Sequence, residues 1–142
     1  MSRPSSSLFW GLAFACALIA GLEAQTHGNG GGNPEARKLK NPVQATPQSI
    51  AQGKDLFNKN CRSCHGADGK GEGPMKPKDS HPSNLTDKEW AHGGSDGEIF
   101  AVVRDGAGPA GPMQYMRGYK SRMTEQEMWS VVNYIRSLGK NP

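Results

Sequence analysis

The chain has 142 residues, enough for one ordinary domain plus a targeting segment. Lys and Arg number 17 against 13 Asp and Glu, a net +4 spread along the chain; the dense basic stripe with interleaved aromatics that nucleic-acid binding requires is missing. Apolar residues make up 35% while Gly (19) and Pro (10) abound, which predicts a small core, many turns and a disulfide, metal or cofactor to help fill the centre.

In chain order, a polar start with one positive charge at Arg3 leads into residues 8–22 (LFWGLAFACALIAGL), apolar without interruption until Glu23. The run is shorter than the roughly 20 residues a bilayer span needs and fits a signal-peptide core. Residues 1–24 are therefore read as a signal peptide cleaved after Ala24. The rival reading is an uncleaved anchor, which alone would bring the chain to a membrane. Both place the remainder in the periplasm or another extracytoplasmic compartment. Residues 25–45 are rich in Gly, Asn, Pro and Lys/Arg with no apolar period, and read as a flexible linker. Residues 46–142 form the folded domain.

Thr46-Pro47 pairs a capping hydroxyl with a first-turn proline, and Ile50, Gly53, Leu56 and Phe57 recur at helical spacing up to Cys61. Residues 66–84 read as loop. Thr86 and Glu89 have capping-box spacing and predict a short helix ending near Trp90; Ser95 and Glu98 repeat it before Ile99, Phe100, Val102 and Val103. Thr124 and Glu127 open the last helix, whose stripe is Met128, Val131, Val132, Ile135 and Leu138, with Gly139 ending it. No stretch alternates at period two, so the predicted class is all-α, about four short helices joined by long Gly/Pro loops. Loops this long are uncommon unless something holds them, and a large planar cofactor at the centre would do so.

Cys61-Arg62-Ser63-Cys64-His65 carries the chemistry. Cys-x-x-Cys-His is the haem c attachment signature. Two thiols on one helical turn can each add to a vinyl group of the same porphyrin, and the next residue, His65, then aims its imidazole at the iron. A zinc site would need four ligands; His81 and His92 lack the His-x(3–5)-His spacing to complete one. A thioredoxin-type pair would want a strand before the motif. A disulfide between Cys61 and Cys64 would close a tiny loop and stabilise little.

The chain resembles the class I single-haem c-type cytochromes of the small bacterial kind, over about residues 46–138. Four stretches carry the resemblance in order: GKDLFNKNCRSCHGADGKGEGP, PSNLTDKEWAHGGSDGEIFAVVRDG, the Met-containing loop, and MTEQEMWSVVNYIRSL. It implies the cytochrome c fold wrapped around one covalently bound haem c. It implies further that Gly53 and Phe57 pack across Tyr134 and Leu138, that the Pro74 carbonyl orients His65, and that Trp90 lies near the haem propionates. For the sixth iron ligand, Met75 sits too close to the motif, Met128 belongs to the last stripe, and Met123 precedes the helix cap as a hydrophobic staple. Members place the ligand eight positions before that cap, which matches Met116. Met113, after Gly-Pro, is the alternative, and His81 or His92 remain as further candidates.

The expected function is that of an extracytoplasmic single-electron carrier with His/Met ligation. No substrate bond is made or broken, so the chain is not read as an enzyme. Its partners are redox proteins that donate and accept the electron, with Lys59, Lys70, Lys76 and Lys78 available to steer acidic ones. The alternatives are a haem subunit of a larger dehydrogenase or oxidase, or a peroxidase or gas sensor with a labile sixth ligand.

Overall fold

A computed structural model describes residues 32–78, 80–108 and 115–139. The signal-peptide reading, the start of the linker and Met113 lie outside the described residues. The elements are α1 (Pro34–Arg37), α2 (Pro47–Asn60), α3 (Arg62–His65), α4 (Asp96–Asp105), β1 (Gly106–Ala107), β2 (Met116–Arg117) and α5 (Glu125–Leu138). The all-α expectation holds, with a two-residue antiparallel pair added, Ala107 facing Met116 and Gly106 facing Arg117.

The caps operate largely as the sequence predicts. Thr46, Ser95 and Thr124 each accept a hydrogen bond from the backbone N–H three residues on, and the side chains of Ser49, Glu98 and Glu127 reciprocate. Such satisfied termini are worth about 1 kcal/mol each. The predicted helix at residues 86–90 is instead a turn. Asn84 Oδ1 accepts from Thr86 N (3.0 Å) and Thr86 Oγ1 (2.7 Å), so the backbone N–H that Glu89 would receive in a capping box is held in a local turn instead.

α2 and α5 cross at the centre. A Cβ on Gly53 would run into the Ser130 carbonyl oxygen and come within 2.9 Å of Tyr134 Cβ, so the crossing is as close as two backbones allow. Phe57 packs against Tyr134 with ring centroids 5.2 Å apart. Leu138 instead lies over the loop, near Gly69. α4 leans on α5 through Phe100, stacked on Trp129 at 4.0 Å. Phe57, Val131 and Val132 are fully buried, each contributing about 1.5–3 kcal/mol.

The linker reading fails for its second half. Asn33 caps α1, Ala36 is buried, and Arg37 donates to Glu98 Oε1 from Nε (3.1 Å) and Nη2 (3.0 Å). Asn133, buried in α5, donates to the Val43 carbonyl (3.0 Å) and Ser49 Oγ (3.2 Å) and accepts from Asn41 Nδ2 (2.8 Å). Polar bonds to distant helices order this segment, and they leave no apolar period in its own sequence. Among the described residues no helix is long and apolar enough to cross a membrane.

Candidate cofactor site

Within the pentapeptide Cys61 joins α2 to α3, and Arg62–His65 form α3 itself. Cys61 ends α2, its N–H bonded to the Phe57 carbonyl at 2.8 Å. Its own carbonyl then accepts from Cys64 N (3.1 Å) and His65 N (2.9 Å), winding the tight turn that brings the two thiols and the imidazole together. Both thiols are unpaired. Cys61, Cys64 and His65 line one cavity of about 850 Å³, toward the upper end of the range for small-molecule and cofactor sites. Phe57, Leu85, Ile99, Val103 and Ile135 supply apolar walls, and Met116 and Trp90 also line it.

The electrostatics separate the competing chemistries. Burial, with Cys64 adding to it, pushes the Cys61 thiol up to about 12. Cys61 is thus not the lowered, attacking thiol of a dithiol redox centre. Burial also lowers the His65 imidazole against the opposing pull of the Ser83 carbonyl, so the ring is neutral at pH 7 and competent as a metal ligand. Among the described residues no three His, Cys, Asp or Glu side chains converge as a metal-binding group, so the zinc reading lacks its ligand set. Two unpaired thiols beside a neutral imidazole, at the edge of a large apolar cavity, fit a covalently attached porphyrin.

His65 and Trp90 have the following partners in the structure. The carbonyl near His65 Nδ1 is that of Ser83, at 3.1 Å, not that of Pro74. Gly73 N and Met75 N bond to the carbonyls of Cys64 (2.9 Å) and Ser63 (2.8 Å), which draws the Pro74 segment alongside the motif backbone. The Trp90 indole N–H donates to the Asp87 carbonyl at 2.9 Å, which the 84–87 turn presents to it.

The pairing of β1 with β2 sets Met116 at the cavity. His81 and His92 line the same cavity, Met75 is 73% exposed, and Met123 and Met128 are core residues. Sequence reasoning missed Tyr119, another lining residue, whose hydroxyl donates to the Asn60 carbonyl at 2.7 Å and ties the residue before Cys61 to the stretch after Met116. It missed Ser83 as well, since a backbone carbonyl leaves no side-chain signature.

Residues 50–139 match the family model for cytochrome c. The chain belongs to the cytochrome c family. This cytochrome is 33% identical over 111 residues to the cbb3-type cytochrome c oxidase subunit CcoP of Rubrivivax gelatinosus, an alignment covering 75% of this chain and 33% of that subunit. Against the CcoP subunit of Rhodobacter capsulatus the identity is 35% over 89 residues, covering 61% and 28%. The chain thus spans about a third of the length of these relatives. Among solved structures, cytochrome cL of Hyphomicrobium denitrificans aligns with TM-score 0.53 at 18% identity, covering 74% of this chain and 62% of that one. A chain of the Kuenenia stuttgartiensis reducing HAO-like protein complex aligns with TM-score 0.61 at 22% identity, covering 72% and 48%. At such identities these two carry the fold and nothing more. Haem c and electron transfer are the family's cofactor and chemistry.

Proposed function

We propose that this chain is the haem c subunit, or haem-bearing part, of an oxidase-type electron-transfer complex, and that it holds one haem. The sequence by itself favours a free carrier; the relatives back the subunit reading better, because CcoP is named as an oxidase subunit. The site chemistry is common to both. Cys61 Sγ and Cys64 Sγ would form the thioethers, and His65 Nε2 and Met116 Sδ would ligate the iron. The bound haem supplies a one-electron ferrous/ferric couple. The apolar walls exclude water from it, and a His/Met pair favours a raised potential and small rearrangement between states. The chain transfers electrons between redox partner proteins outside the cytoplasm and performs no bond chemistry itself. A peroxidase or gas sensor needs a labile sixth position, whereas the Met116 backbone is held in a strand pair.

The observation that carries the proposal is the convergence of unpaired Cys61 and Cys64 with His65 on one cavity. The test is a visible spectrum of the exported protein after denaturation and extraction with acidified organic solvent. Haem colour should stay with the polypeptide and vanish in the Cys61→Ala/Cys64→Ala double variant. A colourless chain from cells competent in haem attachment overturns the proposal. Haem-stained native gels of mild detergent extracts then separate the two settings: co-migration with an oxidase supports the subunit reading, and a band at the size of this chain alone returns the free carrier.

A further inference from the structure

Asn60 closes α2, so its carbonyl is among those that a helix end leaves without an intrahelical partner. In a continuous helix Cys64 N would reach it, but that N–H goes to the Cys61 carbonyl (3.1 Å) as the chain turns into α3. Tyr119 supplies the missing donor. Its hydroxyl bonds to the Asn60 carbonyl at 2.7 Å, across 59 residues of sequence.

Tyr119 also belongs to the segment that carries Met116. Met116 and Arg117 pair with Ala107 and Gly106, a Cβ on Gly118 would strike the Arg104 carbonyl oxygen, and Tyr119 N donates to the Val103 carbonyl at 3.0 Å. Those contacts all hold the segment to α4 and to the strand after it. Toward the attachment turn the link is the Tyr119 hydroxyl. Among the described residues no other hydrogen bond joins residues 116–123 to α2 or α3. Tyr119 lines the cavity, and the Arg122 guanidinium lies 4.6 Å from its ring centroid. Burial raises the phenol above its ordinary value, so the hydroxyl stays a donor throughout the neutral range.

We infer that the Tyr119 hydroxyl is a clasp across the cavity, tying the Met116 segment to the haem-attachment turn and keeping the sixth iron position closed to outside ligands. The inference rests on the haem c reading with Met116 as ligand. On that reading the two iron ligands come from different parts of the chain, His65 from α3 and Met116 from β2. A bond between those parts resists the movement that would part them, and its loss raises the fraction of open molecules. Tyr119 is thus a positioning residue.

The test uses holoprotein of the wild type, Tyr119→Phe, Met116→Ala and, as a control, Ser130→Ala. Tyr119→Phe keeps the ring and removes the hydroxyl alone. Ser130 Oγ bonds to Gln52 Oε1 (3.2 Å) and to the Gln126 carbonyl (3.0 Å), so its loss weakens the α2–α5 crossing without touching the clasp. Ferric protein is titrated with imidazole, and displacement of the methionine is followed through the Met-to-iron charge-transfer band. Half-displacement in Tyr119→Phe should come at about one-fifth of the wild-type imidazole concentration, the change one neutral hydrogen bond produces. Ser130→Ala should titrate as the wild type does. A second measurement needs no variant and decides the matter if Tyr119→Phe yields no holoprotein. Exchange of the Tyr119 hydroxyl proton with solvent, followed by NMR of the wild type, should quicken when imidazole occupies the iron. An unchanged midpoint in Tyr119→Phe, an equal shift in Ser130→Ala, or hydroxyl exchange indifferent to imidazole overturns the inference. Failure of the underlying reading shows separately, as a wild-type chain without covalent haem or a Met116→Ala variant that keeps the band.

Discussion

Gly53 of α2 and Ser130 of α5 meet backbone to backbone: a methyl group on Gly53 has no room beside the Ser130 carbonyl oxygen. Two effects of opposite sign compete in Gly53→Ala. Helix propensity gains about 1 kcal/mol, while forcing a carbon into a packed crossing costs about 1–3 kcal/mol and, against immovable backbone, sits at the upper end. Steric cost wins. Denaturant unfolding of the holoprotein should show Gly53→Ala less stable by about 2 kcal/mol, and an unchanged or raised midpoint contradicts the close crossing.

Met116 and Met113 can be told apart by their loss. Met116→Ala should remove the low-spin spectrum, lower the reduction potential and open the site to added imidazole, because a His/Met pair raises the potential relative to weaker ligation. Met113→Ala should leave all three unchanged. The reverse pattern would move the sixth ligand to Met113.

Glu98 gives the fold a pH dependence whose sign follows from its surroundings. Burial pulls its carboxyl upward, but the backbone N–H and hydroxyl of Ser95 and the Arg37 guanidinium outweigh this and hold it below the usual carboxylate range. A folded-state value below the unfolded one adds stability that is complete above the unfolded value, near pH 4.3, and is lost as pH falls through the lower folded value. Arg37 is 61% exposed, so its half of the pair is screened and Arg37→Ala should cost only about 1 kcal/mol at neutral pH. Stability curves from pH 7 to pH 3 should fall less steeply in Glu98→Gln than in wild type; parallel curves would remove Glu98 from the acid transition.

Asn133 pins residues 41–49 to α5 with its whole amide. Asn133→Ala strands the Val43 and Gln44 carbonyls and should cost about 2–3 kcal/mol. Amide exchange should rise first around residues 41–46. Protection unchanged there would mean that the strap is held by something else.

What was legible in the residues was local. The pentapeptide, the three caps at Thr46, Ser95 and Thr124, and the stripe from Met128 to Leu138 involve neighbours within a turn or two, and a short-range pattern suffices to read them. The Gly53–Tyr134 crossing came from family resemblance, and the structure supplies its steric reason. The apparent capping box at Thr86 misled, because Asn84 just upstream takes the Thr86 N–H that Glu89 would have received. Residues 33–45 misled for a different reason: their order comes from Glu98 and Asn133, 61 and 92 residues away from Arg37 and Asn41.

Covalent chemistry and helix boundaries therefore belong to the linear chain, since bond-forming groups and caps act over a few residues. Which carbonyl reaches Nδ1 of His65, where the Trp90 N–H is spent and how Tyr119 ties down Asn60 belong to the folded molecule. Each is a long-range meeting, or a choice among backbone acceptors that every residue carries alike. Identical carbonyls become distinct when the chain has brought one of them within hydrogen-bonding distance.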